Sequence, residues 1–256
     1  MYSFDTRVRY SEIAEDRKAG PVSIINYFQD CCTFEAEDGG VGLKWLADHG
    51  TAWMLTGWQV HMLRRPSYGE EIRVTTWACG FKYAFGKRSF LIQDMKGNVL
   101  VWALSDWAYV NVKEGTFEKS VPQKEIDVYG MADPISERFA EFGIVTGEEA
   151  SEEVDTKVYK GKIRLPEEME ALPPITVYAD NIDTNHHVNN VQYVSLAKSV
   201  ISEEIDVKVL RAEIKKQSKL GDIIYPFIYQ DEEKVVVRLA DEEGLTKLVA
   251  EFYTAI

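Results

Sequence analysis

Cysteine is scarce in this 256-residue chain, and its placement matters more than its number. Three occur, two adjacent (Cys31, Cys32) and one distant (Cys79), which is neither a disulfide framework nor a zinc-ligand spacing. That pattern predicts a reducing cytoplasm. Positive charge is short as well. The chain has 29 Lys and Arg against 42 Asp and Glu, a net charge of −13, the opposite of what a general nucleic-acid binder carries. No apolar run approaches the roughly 20 residues that cross a bilayer, and Met1-Tyr2-Ser3-Phe4-Asp5 leads straight into a strand pattern without signal or transit features. A G-x-S-x-G elbow is missing, which argues against an α/β serine hydrolase. Gly80 to Arg88 imitates a phosphate loop, but five residues separate its glycines, and Arg88 stands where Ser or Thr would hold magnesium. The adjacent His186 and His187 diverge on a helix and have no His or Cys cluster around them, so neither a metal nor a cofactor is predicted.

What is present is a globular composition, 45% hydrophobic and 28% charged, which excludes wholesale disorder. The chain overlays on itself. Ala19-Gly20-Pro21-Val22-Ser23-Ile24-Ile25-Asn26-Tyr27-Phe28 introduces a helix with proline at its favoured first position, and Asn185 to Val194 takes the same place later. Aligned on Tyr27 and Tyr193, the copies put Arg17, Ala19 and Pro21 where Asp183, Asn185 and His187 stand. Downstream, Leu63-Arg64-Arg65-Pro66-Ser67-Tyr68-Gly69-Glu70 resembles Ile214-Lys215-Lys216-Gln217-Ser218-Lys219-Leu220-Gly221-Asp222: paired basic residues, a Gly-acid turn, then a new strand.

Each copy is one helix followed by a run of strands. Trp58, Val60 and Met62 alternate with polar neighbours, as do Ile72, Val74 and Thr76, the period of half-buried strands. Tyr83–Ile92 and Val99–Val110 continue the pattern, and later strands are expected near 207–217, 222–230, 234–240 and 245–254. Val188 to Ile201 carries an apolar arc wide enough for a helix enclosed by a curved antiparallel sheet. The reading is therefore α+β, a tandem double hotdog. Residues 1–130 form the first, 156–256 the second, and an acidic linker, 131–155, runs between them over the outside. All six tryptophans fall in the first half and are expected to pack its core.

Chemistry concentrates in one octad, Asp183-Thr184-Asn185-His186-His187-Val188-Asn189-Asn190, followed by Val191-Gln192-Tyr193. Asp183 can act as an ionised base or orient a water, and Asn185 can hold that water or a carbonyl. His187, expected in the first helical turn, can donate or exchange a proton. The unpaired N–H groups of a helix start offer a site for a developing oxyanion. Asp and Asn in these places also have the chemistry of helix caps.

The D-x-N-x-H-V-N-N-x-x-Y string, with Trp58-Gln59-Val60 through Glu70 and the run from Trp77 to Arg88, resembles the acyl-acyl carrier protein (acyl-ACP) thioesterase family over nearly the whole chain. The resemblance implies two hotdogs, hydrolysis of fatty acyl-ACP to free fatty acid, and a first half that lines an apolar tunnel for the acyl chain. In that family the strand after the second helix contributes a Glu-Cys pair, and Gln217-Ser218 stand there in this chain. Cysteine chemistry is thereby lost, and Gln217 can hold water or a carbonyl but cannot ionise. The implied site is Asp183, Asn185, His187 and Gln217, acting on water. The implied partner is acyl carrier protein, with Arg64, Arg65, Lys82, Lys87, Arg88, Lys215, Lys216 and Lys219 as docking candidates on a monomer or homodimer. A hotdog acyl-coenzyme A thioesterase and a non-catalytic acyl-binding module are the rival readings.

Overall fold

The computed structural model describes residues 1–145, 156–201 and 205–254. They divide into two compact units, Met1–Thr56 with Val60–Val158, and Gly57–Gln59 with Tyr159–Ile256.

In the first unit the alternating stretches become long antiparallel strands: β1 (Tyr2–Arg7), β2 (Thr51–Met62), β3 (Glu71–Lys82), β4 (Phe85–Asp94) and β5 (Val99–Asn111). Their order in the sheet is β1-β3-β4-β5-β2, with the short β6 (Thr116–Phe117) beside β5. Period-two alternation gives each strand one face for the core. Against that face lies α1 (Pro21–Asp38), with Pro21 at its first turn and Ile24, Ile25, Tyr27 and Phe28 buried. The Phe28 ring packs 4.9 Å from that of Phe90 in β4. Two short helices, α2 (Leu43–His49) and α3 (Gln123–Tyr129), complete the unit.

Residues 113–145 pack on the first unit through buried anchors. Glu125 of α3 is fully buried and accepts hydrogen bonds from Trp45 Nε1 (3.2 Å), Trp53 Nε1 (2.7 Å) and the Tyr109 hydroxyl (2.7 Å). Three donors replace the water this carboxylate leaves. Farther on, Ile135, Phe139 and Ile144 pack with Trp77, Leu91 and Trp102. Apolar anchors spaced among charged residues hold this segment on the sheet. Residues 146–155 of the expected linker lie outside the described residues.

The second unit repeats the plan at smaller scale. β9 (Val209–Ile214), β12 (Thr246–Tyr253), β11 (Lys234–Ala240) and β10 (Ile223–Gln230) lie in that order, antiparallel, with β7 (Glu170–Ala171) and β8 (Ile175–Thr176) paired to β10. Its helix, α4 (Asn190–Ser199), buries Val191, Tyr193, Val194, Leu196 and Ala197 and packs on β11 and β12. No helix among the described residues is long and apolar enough to cross a membrane.

Candidate active site

α4 starts at Asn190, two residues later than the octad suggests. Its cap is Asn189, whose Oδ1 accepts the Val191 N–H at 2.8 Å. His187 is thereby corrected from the first helical turn to the loop before it. That loop is a closed unit of main-chain bonds. Asp183 N–H donates to His187 O (2.8 Å) and His186 N–H to Asp183 O (3.1 Å). His186 takes the left-handed conformation, φ 61°, which costs a non-glycine residue about 1 kcal/mol. Inside the loop the Asp183 Oδ1 accepts the N–H groups of Asn185 (2.8 Å) and His187 (3.3 Å). Asp183 therefore does what its capping chemistry suggested, but for the loop rather than for the helix.

The next amide fastens the loop to the hairpin after β9, as Val188 N–H donates to Ser218 O at 2.9 Å. From below, the buried Tyr193 hydroxyl donates to Lys216 O at 3.1 Å. Burial pushes this phenol up to about 12, so it remains a donor at neutral pH. These two bonds set Gln217 beside the loop. Its Oε1 is buried and has no hydrogen-bond partner among the described residues, a costly state for an amide oxygen unless a ligand or water supplies a donor. Asp183 and His187 are half-buried, and the Asn185 side chain is exposed. Among the described residues no hydrogen bond joins the four side chains to one another. The amides of Asn185, His186, His187, Val188, Asn189 and Val191 are already engaged, so much of the expected free N–H potential is used by the loop itself. The Asn185 side-chain amide and the His187 ring take part in none of these loop bonds.

The first unit contains the same loop. Ala14 N–H donates to Lys18 O (2.9 Å), Arg17 N–H donates to Ala14 O (3.0 Å), and Arg17 has φ 61°. Ala19 N–H then donates to Pro66 O (2.8 Å). Equivalent loop residues are 169 positions apart (17 and 186), not the 166 separating Tyr27 from Tyr193. The hairpin turns match at 152 (69 and 221), where Gly69 N–H bonds Val8 O and Gly221 N–H bonds Val177 O, each at 3.0 Å. Both glycines have positive φ, 77° and 85°, which only glycine adopts freely. The earlier overlay is corrected accordingly. Ala14, Asp16 and Lys18 stand where Asp183, Asn185 and His187 do, and Arg65 stands where Gln217 does. The first copy is not stripped of polar groups: Asp16 and Arg65 form an ion pair. Sequence reasoning also missed Asn181, whose Oδ1 accepts Tyr178 N–H (3.0 Å) and whose carbonyl accepts Asn189 N–H (2.8 Å). Its counterpart Glu12 does the same for Arg9 (2.7 Å), a pairing that a register of 169 would have revealed.

Of the basic candidates, Arg88 is buried against Glu35, Arg64 is paired with Glu70, Lys87 with Asp106 and Lys215 with Glu213.

Residues 1–126 match the acyl-ACP thioesterase N-terminal domain, and residues 166–239 match the acyl-ACP thioesterase C-terminal domain. An acyl-[acyl-carrier-protein] hydrolase from the chloroplast of Cuphea viscosissima is 26% identical over 234 residues, 84% of this chain and 52% of that protein. The chain spans about half the length of the curated relatives it matches. A crystal structure of an acyl-ACP thioesterase from Bacteroides thetaiotaomicron superposes with a TM-score of 0.77 at 17% identity, covering 98% of this chain and 96% of that one. A putative oleoyl thioesterase from Lactobacillus plantarum gives 0.80 at 16% identity, covering 100% and 96%. At such identities these two show the fold, and the α+β double-hotdog expectation agrees with it. Together, two domain matches in the right order along one chain place it in the acyl-ACP thioesterase family.

Proposed function

We propose that this chain hydrolyses the thioester of fatty acyl-ACP, with Asp183, Asn185, His187 and Gln217 organising the attack of water. The observation that carries this reading is the difference between the two loops. One backbone frame occurs twice, and only the second copy leaves a buried acceptor, Gln217 Oε1, without a partner among the described residues. In the first copy the corresponding positions are closed by Asp16 and Arg65.

Asp183 Oδ1 is occupied by two amides, which fixes the carboxylate and leaves Oδ2 for a water. In the proposed reaction Asp183 takes a proton from that water as its oxygen attacks the thioester carbonyl carbon. Asn185 Nδ2 and the His187 ring donate to the carbonyl oxygen as it gains charge. The C–S bond then breaks, sulfur leaves as thiolate and takes the proton held by Asp183, and the fatty acid remains with the carboxylate of Asp183 restored. Gln217 Oε1 accepts the second hydrogen of the water and keeps it aligned. Three unbridged cysteines accord with a reducing compartment, and we place the reaction in the cytoplasm.

Asp183→Asn tests the site, because an amide oxygen still accepts the two loop N–H groups but cannot take a proton. The expected loss in kcat on acyl-ACP is about 10²- to 10³-fold with unchanged folding. A full rate in this variant removes the base assignment. Equal or faster turnover of acyl-coenzyme A by the unaltered protein favours the coenzyme-dependent alternative, and no turnover of either substrate leaves the acyl-binding module.

A further inference from the structure

The two hairpin turns also differ in charge. In the first unit Glu70 accepts both Arg64 nitrogens, at 2.9 and 2.6 Å, together with the Ser67 N–H at 2.9 Å. The basic residue of that turn is thereby neutralised. At the equivalent places stand Lys216, Lys219 and Asp222. Asp222, one methylene shorter than Glu70, accepts the Lys219 N–H at 2.9 Å and reaches no further. The ammonium groups of Lys216 and Lys219 are exposed, and neither has an ion-pair partner among the described residues. Between Lys219 and the turn glycine, Leu220 is 62% exposed. Tyr178, 67% exposed, follows Val177, whose carbonyl receives the Gly221 N–H. Two unpaired cations and two exposed apolar side chains thus flank Gln217 and Ser218, on a chain whose net charge is −13.

We propose that this turn, Lys216 through Leu220 with Tyr178, is where an acidic carrier protein docks, which rests on the reading above that the substrate is carrier-borne. An acidic partner is repelled by the chain as a whole and needs a local cationic foothold. Here the foothold lies against the loop that holds Asp183, so docking there presents a tethered thioester to the site. The cations steer the approach, and Leu220 and Tyr178 supply the apolar centre that holds the encounter.

The test compares the unaltered chain with Lys216→Glu/Lys219→Glu, Lys216→Gln/Lys219→Gln and Leu220→Ser. Carrier binding is measured by titration at low and high salt. Hydrolysis is measured on acyl-ACP, on acyl-coenzyme A and on an acyl-N-acetylcysteamine thioester that lacks both protein and phosphate. The double reversal is expected to lower carrier affinity and kcat/KM on acyl-ACP by about tenfold or more, and to flatten the salt dependence. The small thioester should be hydrolysed at the original rate. Leu220→Ser should weaken carrier binding with its salt dependence intact. Unchanged carrier affinity in both double variants overturns the proposal. So does an equal loss on acyl-coenzyme A, which would assign the lysines to a phosphate, or an equal loss on the small thioester, which would assign them to the site. If the unaltered chain hydrolyses no thioester, the hydrolytic reading fails, while the binding titration still decides the surface.

Discussion

The loops at residues 13–19 and 182–188 share a main-chain framework and differ in what that framework carries. Both have a left-handed residue at the same step, both close with the same pair of backbone bonds, and both dock on a glycine hairpin. The first satisfies its side chains internally with an ion pair between Asp16 and Arg65. Among the described residues, the second leaves the Gln217 carbonyl buried without a donor and its two turn lysines without an ion-pair partner. Geometry alone therefore does not make a site. Under the proposed reading, the unmet polar demand on that geometry does.

The sharpest way to break this comparison is to exchange its central residue. Asp183→Asn should lower kcat by about 10²- to 10³-fold, whereas Ala14→Asp, its mirror in the first loop, should leave turnover unchanged. Activity gained in an Ala14→Asp, Asp16→Asn, Lys18→His, Arg65→Gln quadruple variant would show that the closed copy is a complete site once unsealed. A smaller effect is expected at the supporting residue. Gln217→Leu should cost about tenfold in kcat, the loss of one hydrogen bond's worth of alignment. The corresponding Arg65→Gln should leave kcat unchanged and lower stability by about 1 kcal/mol or less, because the pair is partly exposed to solvent. Thermal melts and steady-state rates on the same samples separate the two outcomes.

Next comes the cap. Asn189→Ala should cost about 1 kcal/mol by freeing the Val191 N–H. Gly20→Ala, at the first helix's cap, should change stability by less than Asn189→Ala, since Gly20 offers no side-chain cap to lose and its φ of −76° and open surroundings accept a methyl group. Denaturant titration of both variants checks this.

The smallest effect concerns pH. Hydrogen bonding to Arg64 holds the Glu70 carboxyl below its usual range. A lowered folded pKa stabilises above the unfolded value, near 4.3, and that contribution is lost as pH falls through the folded pKa. Acidification from pH 5 downward should therefore release the Ser67 amide to hydrogen exchange, and Glu70→Gln should abolish the pH dependence. An unchanged profile in Glu70→Gln would separate that amide's protection from the ion pair.

The strands after α4 were legible in the sequence to within two or three residues at each end, because period-two burial determines both pattern and pairing. Duplication was legible too, but its register was not. Tyr27 and Tyr193 look equivalent as buried tyrosines on a helix face, yet helix faces accept many apolar residues. Register is set by the backbone turn at Arg17 and His186, where the residue type gives no hint of positive φ. The segment 113–145 was obscured by its own charges, which sit outside while Ile135, Phe139 and Ile144 point in. Which basic residues are free could not be inferred from composition either. Arg64 and Lys216 look alike until the carboxylate length at 70 and 222 is considered.

The loop around Asp183 is closed by main-chain atoms and one carboxylate, with the side chains of Thr184, Asn185 and His186 exposed. Its shape is therefore nearly indifferent to what those side chains are. Such a frame behaves as a chassis on which functional groups can be exchanged one at a time without unfolding it, and its two copies already carry different fittings.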